Sequence, residues 1–334
     1  MTRTHIPEAV LTAAHDRARA RATRDWDLAD RLRGEIEAAG WTIVDRGTDF
    51  ALSPAAPPDV DEGARVRYGA SRNVPARFDE PATGLATVVL IATDWPGDLD
   101  RALAGLRAHA PAGTSVVVVA DGPSEEQASA LESIEAAAGN ATAAAGDATA
   151  PPIDVVWTSE RLGQGAATNI GLRRVGAAVA ILLDTSLEPT GDFVTPLVRA
   201  LDDERVAVVG GWGITSTDLR TFEDAPAGDV DAIEGYVQAF RRSDAAALGP
   251  LDERFRFYRN LDIWWSLVLR DGGEDDDEPR SAVSLEGLPL ERHEHRGWTT
   301  LPDEERDRQS KRNFYRIIDR FGSRRDLLVA NGQP

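Results

Sequence analysis

The sequence predicts an α/β fold, a doubly wound and mainly parallel sheet preceded by a small module of one helical hairpin and a β-ribbon. Three observations predict it. From residue 85 onward, short unbroken apolar runs alternate with segments of helical period, as strands covered on both faces by helices require. Residues 7 to 40 carry only the three- and four-residue spacing of helices. The chain has 334 residues, more than twice a typical domain of about 150. That leaves room for the module at 1–52, a linker at 53–84 and a large α/β unit at 85–334.

In the second helix of the hairpin, Trp26, Ala29, Leu32, Ile36 and Ala39 form one apolar stripe, and Gly40 stops it. Trp41 to Val44 and Asp49 to Leu52 read as two strands around an Arg46-Gly47 turn. Residues 53 to 84, rich in Pro, Ala, Gly and charge, show no periodicity and read as the linker. Ala86 to Ala92 is an apolar strand, and Leu99, Leu103 and Leu106 mark its helix. Ser115 to Ala120 is the next strand, followed by a helix over Ser124 to Ala138 and an Ala/Gly-rich loop to Pro152. Ile153 to Trp157, Ala178 to Leu183 and Val206 to Gly210 complete the strands, with a helix over Ala166 to Val175. Ile214 to Val230 reads as a polar, mobile loop and Gly273 to Glu278 as a solvated acidic one. Pro302 to Phe321 reads as an amphipathic helix.

Composition excludes several classes. There is no Cys, which removes disulfides, thiolate zinc sites and thiol catalysis. No apolar run approaches the roughly 18 residues that span a bilayer, and Met1 to Pro7 lacks the apolar stretch of a signal peptide. A cytoplasmic setting is the expectation. Lys and Arg total 37 against 56 Asp and Glu, a net charge of -19. A polyphosphate backbone would repel such a chain, so nucleic acid is not expected as its main ligand. Lys311 is the only lysine.

In an open α/β sheet, ligands bind beyond the carboxyl ends of the parallel strands. Three of the first four ends carry an aspartate: Thr93-Asp94, Asp121-Gly122 and Asp184-Thr185-Ser186. An Asp there also serves as a helix N-cap, but three among four ends point to a site. The segment Arg161-Leu162-Gly163-Gln164-Gly165-Ala166-Ala167-Thr168-Asn169-Ile170-Gly171 follows the third strand. Its small residues allow either close backbone approach to a ligand or dense helix packing. Trp212 follows the strand Val206 to Gly210, within Gly210-Gly211-Trp212-Gly213.

The order of these motifs resembles the family-2, inverting, GT-A-type glycosyltransferases over residues 85 to 322. Val118-Val119-Ala120-Asp121-Gly122 is similar to the family's base-contacting Asp-Asp-Gly stretch, with Ala120 at the first Asp. Gly163, Gly165, Ala167, Asn169 and Gly171 match its Asn-x-Gly-x-x-x-Ala-x-Asn-x-Gly segment, with Arg161 at the first Asn. Leu182-Leu183-Asp184-Thr185-Ser186 stands at its Asp-x-Asp metal motif. Phe240-Arg241-Arg242, Gly249 and Leu251 to Tyr258 resemble its acceptor-side segment.

The resemblance implies a GT-A-type, Rossmann-like sheet and an NDP-sugar donor held by Thr93, Asp94, Asp121, Gly163, Gly165, Asn169, Asp184 and Trp212. It implies a divalent cation, Mn²⁺ or Mg²⁺, on Asp184 with His293 and His295, and Asp262 as the base for the acceptor hydroxyl. The acceptor class is open: a glycan, a small molecule, or a lipid-linked carrier reached by peripheral membrane docking. Two departures bear on this. Ser186 replaces the second Asp of Asp-x-Asp, a loss for a hard cation, for which Glu188 is a candidate substitute. Arg259-Asn260-Leu261-Asp262 offers one carboxylate where the family has a Glu-Asp pair.

Ala18 to Arg33 and Gly40 to Asp45 resemble instead the C-terminal tail of cysteinyl-tRNA synthetases. That resemblance implies the hairpin-and-ribbon fold and, more remotely, an RNA or partner role. Two alternatives to a transferase therefore stand: a catalytically degenerate nucleotide-sugar or glycan binder, and an RNA-associated protein acting through this module.

Overall fold

The computed structural model describes residues 6–46, 49–143, 150–272 and 278–329, which form two compact units, residues 1–59 and 60–334. In the first, α1 (Glu8–Ala22) and α2 (Trp26–Ala38) form the hairpin, and β1 (Trp41–Arg46) pairs antiparallel with β2 (Asp49–Pro54). Asp25 caps α2, its carboxylate accepting the Leu28 N–H at 3.1 Å. Val10, Ala14, Ile36, Trp41 and Ile43 make the small core. Arg17, 4% exposed, is held by both oxygens of Asp45 at 2.7 and 3.2 Å. Ala29, Leu32 and Ile36 face inward as expected, but Trp26 is 53% exposed, lying under the Arg21 guanidinium. The unit holds 8 Arg and no Lys against 10 Asp and Glu, so it presents no net positive charge to a polyanion.

The second unit is built on a ten-stranded sheet. Its strands are β3 (Val60–Asp61), β4 (Val66–Tyr68), β5 (Ala86–Ala92), β6 (Thr114–Ala120), β7 (Ile153–Thr158) and β8 (Val179–Leu183). After β9 (Leu187–Pro189) come β10 (Val206–Gly210), β11 (Gly213–Ser216), β12 (Phe222–Ala225), β13 (Gly228–Val230), β14 (Ala232–Ile233), β15 (Val237–Arg241), β16 (Ser281–Ser284) and β17 (Leu290–Arg292). The large sheet has the order β13-β16-β10-β15-β8-β5-β6-β7-β4-β3. β12-β11-β14 form a second sheet and β17-β9 a ribbon. β5, β6, β7, β4 and β8 run parallel. β15 lies antiparallel between β8 and β10.

Both faces of the central strands are buried, which explains their unbroken apolar runs. Along β5, Val88 and Leu90 meet α3 (Pro96–His109) and α4 (Glu125–Ala143) through Leu99, Leu103, Leu106 and Leu131. Val89 faces the opposite core of α5 (Gln164–Arg174) and α8 (Leu261–Asp271), with Ile170, Trp264 and Trp265. A Cβ on Gly171 would sit 2.2 Å from Val89, so α5 lies against β5 at a distance only glycine permits. α6 (Val194–Ala200), α7 (Arg242–Leu248), α9 (Arg296–Thr299) and α10 (Asp303–Phe321) complete the layers. Among the described residues no helix is long and apolar enough to cross a membrane.

Three expectations are corrected here. Residues 60–84, read as linker, belong to the second unit: β4 pairs with β7, and β3 with β4, at the sheet edge. Charge holds this edge. Arg65 reaches Glu132 at 2.6 Å and Glu135 at 3.1 Å, and Arg65 and Arg67 lie over Trp157. The polar stretch 214–230 is a set of short strands rather than a loop. α4 continues past Ala138 to Ala143. The following Ala/Gly-rich residues 144–149 and acidic residues 273–277 lie outside the described residues.

Candidate active site

Chain order dictates where a cleft opens. From β5 the chain proceeds to β6 and β7 on one side, then returns to place β8 on the other. The β5/β8 boundary is therefore the switch point, where the loops part and leave a crevice. A cleft of about 980 Å³ lies there, reached by Thr93, Asp94, Asp121, Asp184, Tyr236, Asp262 and His295.

At one end, Arg161 donates to Asp94 at 2.7 Å and to the Gly122 carbonyl at 3.1 Å. Asp121, 2% exposed, accepts the N–H groups of Leu162 at 2.7 Å and Gly163 at 3.0 Å. Burial pushes its carboxyl above the ordinary value, against the pull of these donors. Asp121 thus fixes the loop that opens α5.

In the middle, Asp184 accepts the Ser186 N–H at 2.8 Å, and its other oxygen lies 3.3 Å from Nε2 of His295. His295 stacks on Tyr258, ring centroids 4.4 Å apart, and its Nδ1 is buried without a hydrogen-bond partner. Burial alone would raise the Asp184 carboxyl, but the hydrogen bond and charge of His295 outweigh it and leave it low. Burial opposes the His295 cation, and Asp184 outweighs that in turn and raises it.

At the far end, Asp262 sits in the first turn of α8. Its Oδ2 accepts the Gly235 N–H at 2.8 Å and its Oδ1 the Ile263 N–H at 3.0 Å. The helix is preceded by Asn260, in the left-handed region at φ 68°, so Asp262 is not the capping residue. Burial raises its carboxyl above the ordinary value, opposed by the two N–H donors and Arg259. Glu234 lines the same wall. Burial raises its carboxyl too, and the Asp262 charge raises it further.

Residues 87–252 match the family model described as glycosyl transferase family 2. The chain carries a glycosyl transferase family 2 domain. Its fold is also that of solved glycosyltransferases. GalNAc-T7, solved with UDP, GalNAc and Mn²⁺, is 15% identical at a TM-score of 0.53, over 71% of this chain and 48% of its own. The mannosyltransferase PcManGT of Pyrobaculum calidifontis, solved with GDP-Man and Mn²⁺, is 17% identical at 0.52, over 76% and 70%. A separate match, 42% identical over 50 residues, is to the cysteine–tRNA ligase of Opitutus terrae; it covers 15% of this chain and 11% of that protein. The chain therefore spans about half of GalNAc-T7 and a ninth of the ligase.

Around the cleft, the expected site residues divide. Thr93, Asp94, Asp121, Gly163, Asp184, Asp262 and His295 reach the cleft, and Gly165, Asn169, Trp212 and His293 do not. Gly163 needs φ +94°, and a Cβ there would meet Arg256 at 2.9 Å. A Cβ on Gly165 would meet the Asp252 carbonyl at 2.8 Å. Asn169, 3% exposed, accepts the Leu251 N–H at 2.8 Å and donates to Leu251 and Glu253 at 3.0 Å. These residues dock the segment 251–256 against α5. Asn169→Ala is accordingly expected to cost about 1–3 kcal/mol, since it strands a buried N–H, and to leave nucleotide affinity unchanged. Urea unfolding and a nucleotide titration check this together.

Trp212 stands behind Tyr236, edge-on at 5.4 Å, with the Arg292 guanidinium over both rings. His293 turns away and pairs with Glu188 at 2.8 Å, which also takes Glu188 from the Ser186 position it was a candidate to support. The segment Glu234-Gly235-Tyr236 was not anticipated. Its Gly235 N–H holds Asp262, and its Tyr236 carbonyl accepts the Asp184 N–H at 2.9 Å.

Proposed function

We propose that this chain is a nucleotide-sugar-dependent, inverting glycosyltransferase. The observation that carries the reading is the placing of the Asp184–His295 pair and Asp262 in one cleft at the switch point of the sheet. Adjacent ligands of an octahedral cation with bonds of about 2.1 Å stand about 3 Å apart, close to the 3.3 Å between Asp184 and His295. Carboxylate plus imidazole suits Mn²⁺ somewhat better than Mg²⁺. Asp184 and His295 would hold such an ion, whose chemistry when bound is neutralisation of the leaving diphosphate. That GalNAc-T7 and PcManGT were solved with Mn²⁺ supports a divalent cation.

The nucleotide lies toward Thr93, Asp94 and Asp121. Asp262 accepts the proton of the acceptor hydroxyl. The freed oxygen bonds to the anomeric carbon as the bond to the diphosphate breaks behind it, so the configuration inverts. Each oxygen of Asp262 has one N–H donor, which leaves a lone pair for that proton. Glu234 and Arg259 border the acceptor end.

The test is a thermal-shift panel of UDP, GDP, dTDP and CDP, each with Mn²⁺, Mg²⁺ or EDTA, followed by product analysis with the matching sugar nucleotide. A ligand that binds the native state raises its stability by RT ln(1 + [L]/Kd). One nucleotide with a metal-dependent shift and an inverted product is expected. Binding without turnover would favour the degenerate binder, and no shift with any nucleotide would defeat both readings.

A further inference from the structure

Away from the cleft, the β9–β17 ribbon gathers three metal-ligating side chains. Glu188 stands directly opposite Glu291 in its register, and His293 follows Glu291 by two residues, the repeat that returns a side chain to the same face. Their ligand atoms all lie within 4.8 Å of one another, and none of the three lines the cleft. Like charges placed opposite each other on a ladder repel. Arg101 answers this for Glu188 alone, with Nε at 3.9 Å.

From this geometry we infer that Glu188, Glu291 and His293 form a second cation site, for a divalent first-row transition ion, separate from the cleft. The donor set decides the class. Two carboxylates with an imidazole suit Zn²⁺, Co²⁺ or Mn²⁺, whereas Ca²⁺ and Mg²⁺ take oxygen ligands. Bonds of about 2.0–2.2 Å place tetrahedral ligand atoms about 3.4 Å apart. The Glu188–His293 contact, at 2.8 Å, opens slightly to admit the ion, and Glu291 closes on it.

The site has a structural consequence. β9 follows directly on Asp184-Thr185-Ser186, and β17 runs on to His295. The His293 N–H already donates to the Ser186 carbonyl at 2.8 Å. An ion clipping the two strands holds His295 in place against Asp184. The inference rests on the ribbon alone and stands whether or not the cleft transfers sugar.

The test uses the full chain, stripped with EDTA, desalted and titrated with Co²⁺. Bound metal and visible absorption are read together. One Co²⁺ equivalent, with an absorption band characteristic of a mixed N/O site, is expected to vanish in Glu291→Gln and in His293→Ala and to persist in Asp184→Asn. Glu291 is exposed, so its replacement leaves the core intact even where His293→Ala disturbs the ribbon. Equal Co²⁺ in the wild type and both ribbon variants overturns the inference. So does loss of every equivalent in Asp184→Asn.

Discussion

Asp262→Asn is expected to lower kcat by roughly 10²–10⁴-fold, the usual contribution of a positioned general base, while leaving nucleotide affinity unchanged. The amide preserves the shape of the side chain but cannot take the acceptor proton. The wild-type pH profile provides a second check. In the proposed role Asp262 must be the carboxylate, so activity is expected to fall as pH drops through its pKa. Burial raises that pKa. The acid limb of kcat/KM should therefore lie above the pH of about 3.9 at which an ordinary aspartate titrates, and it should be absent from the residual activity of the variant. Full transfer by Asp262→Asn, or an acid limb common to both proteins, would remove Asp262 from the role.

The second large effect belongs to Asp184. Asp184→Asn removes the carboxylate from the Asp184–His295 pair. A cation at a leaving diphosphate supplies several kcal/mol, and each 1.36 kcal/mol is tenfold in rate. The expected loss in kcat/KM is thus about 10²–10³-fold, together with loss of any EDTA-sensitive nucleotide shift. His295 reports the change independently. Asp184 is what holds its imidazole above the ordinary value against burial, so in the variant its titration, followed by NMR, moves to lower pH. A nucleotide shift that remains EDTA-sensitive in Asp184→Asn would transfer the cation to other ligands.

How far sequence could be read follows strand direction. β5, β6 and β8 are parallel and doubly buried, so their apolar runs are plain and their ends point to the cleft. Asp94, Asp121 and Asp184 stand at those ends and line the cleft. β15 is antiparallel, so it brings its start to the same edge. Glu234, Gly235 and Tyr236 precede a strand, and a search of strand ends passes over them. Asn169 and Gly165 are ambiguous in sequence for a different reason. Small and amide residues serve tight docking as well as ligand approach, and only the contacts with Leu251 and Asp252 separate the two. The β3–β4 edge escaped notice because ion pairs and stacked arginines hold it, which leave no periodic trace.

The segment Glu234-Gly235-Tyr236 grips both aspartates of the cleft through main-chain atoms, the Gly235 N–H on Asp262 and the Tyr236 carbonyl on the Asp184 backbone. Peptide geometry thereby acts as a ruler between Asp184 and Asp262, the two ends of the proposed reaction. Side chains at 234 and 236 take no part in the measurement.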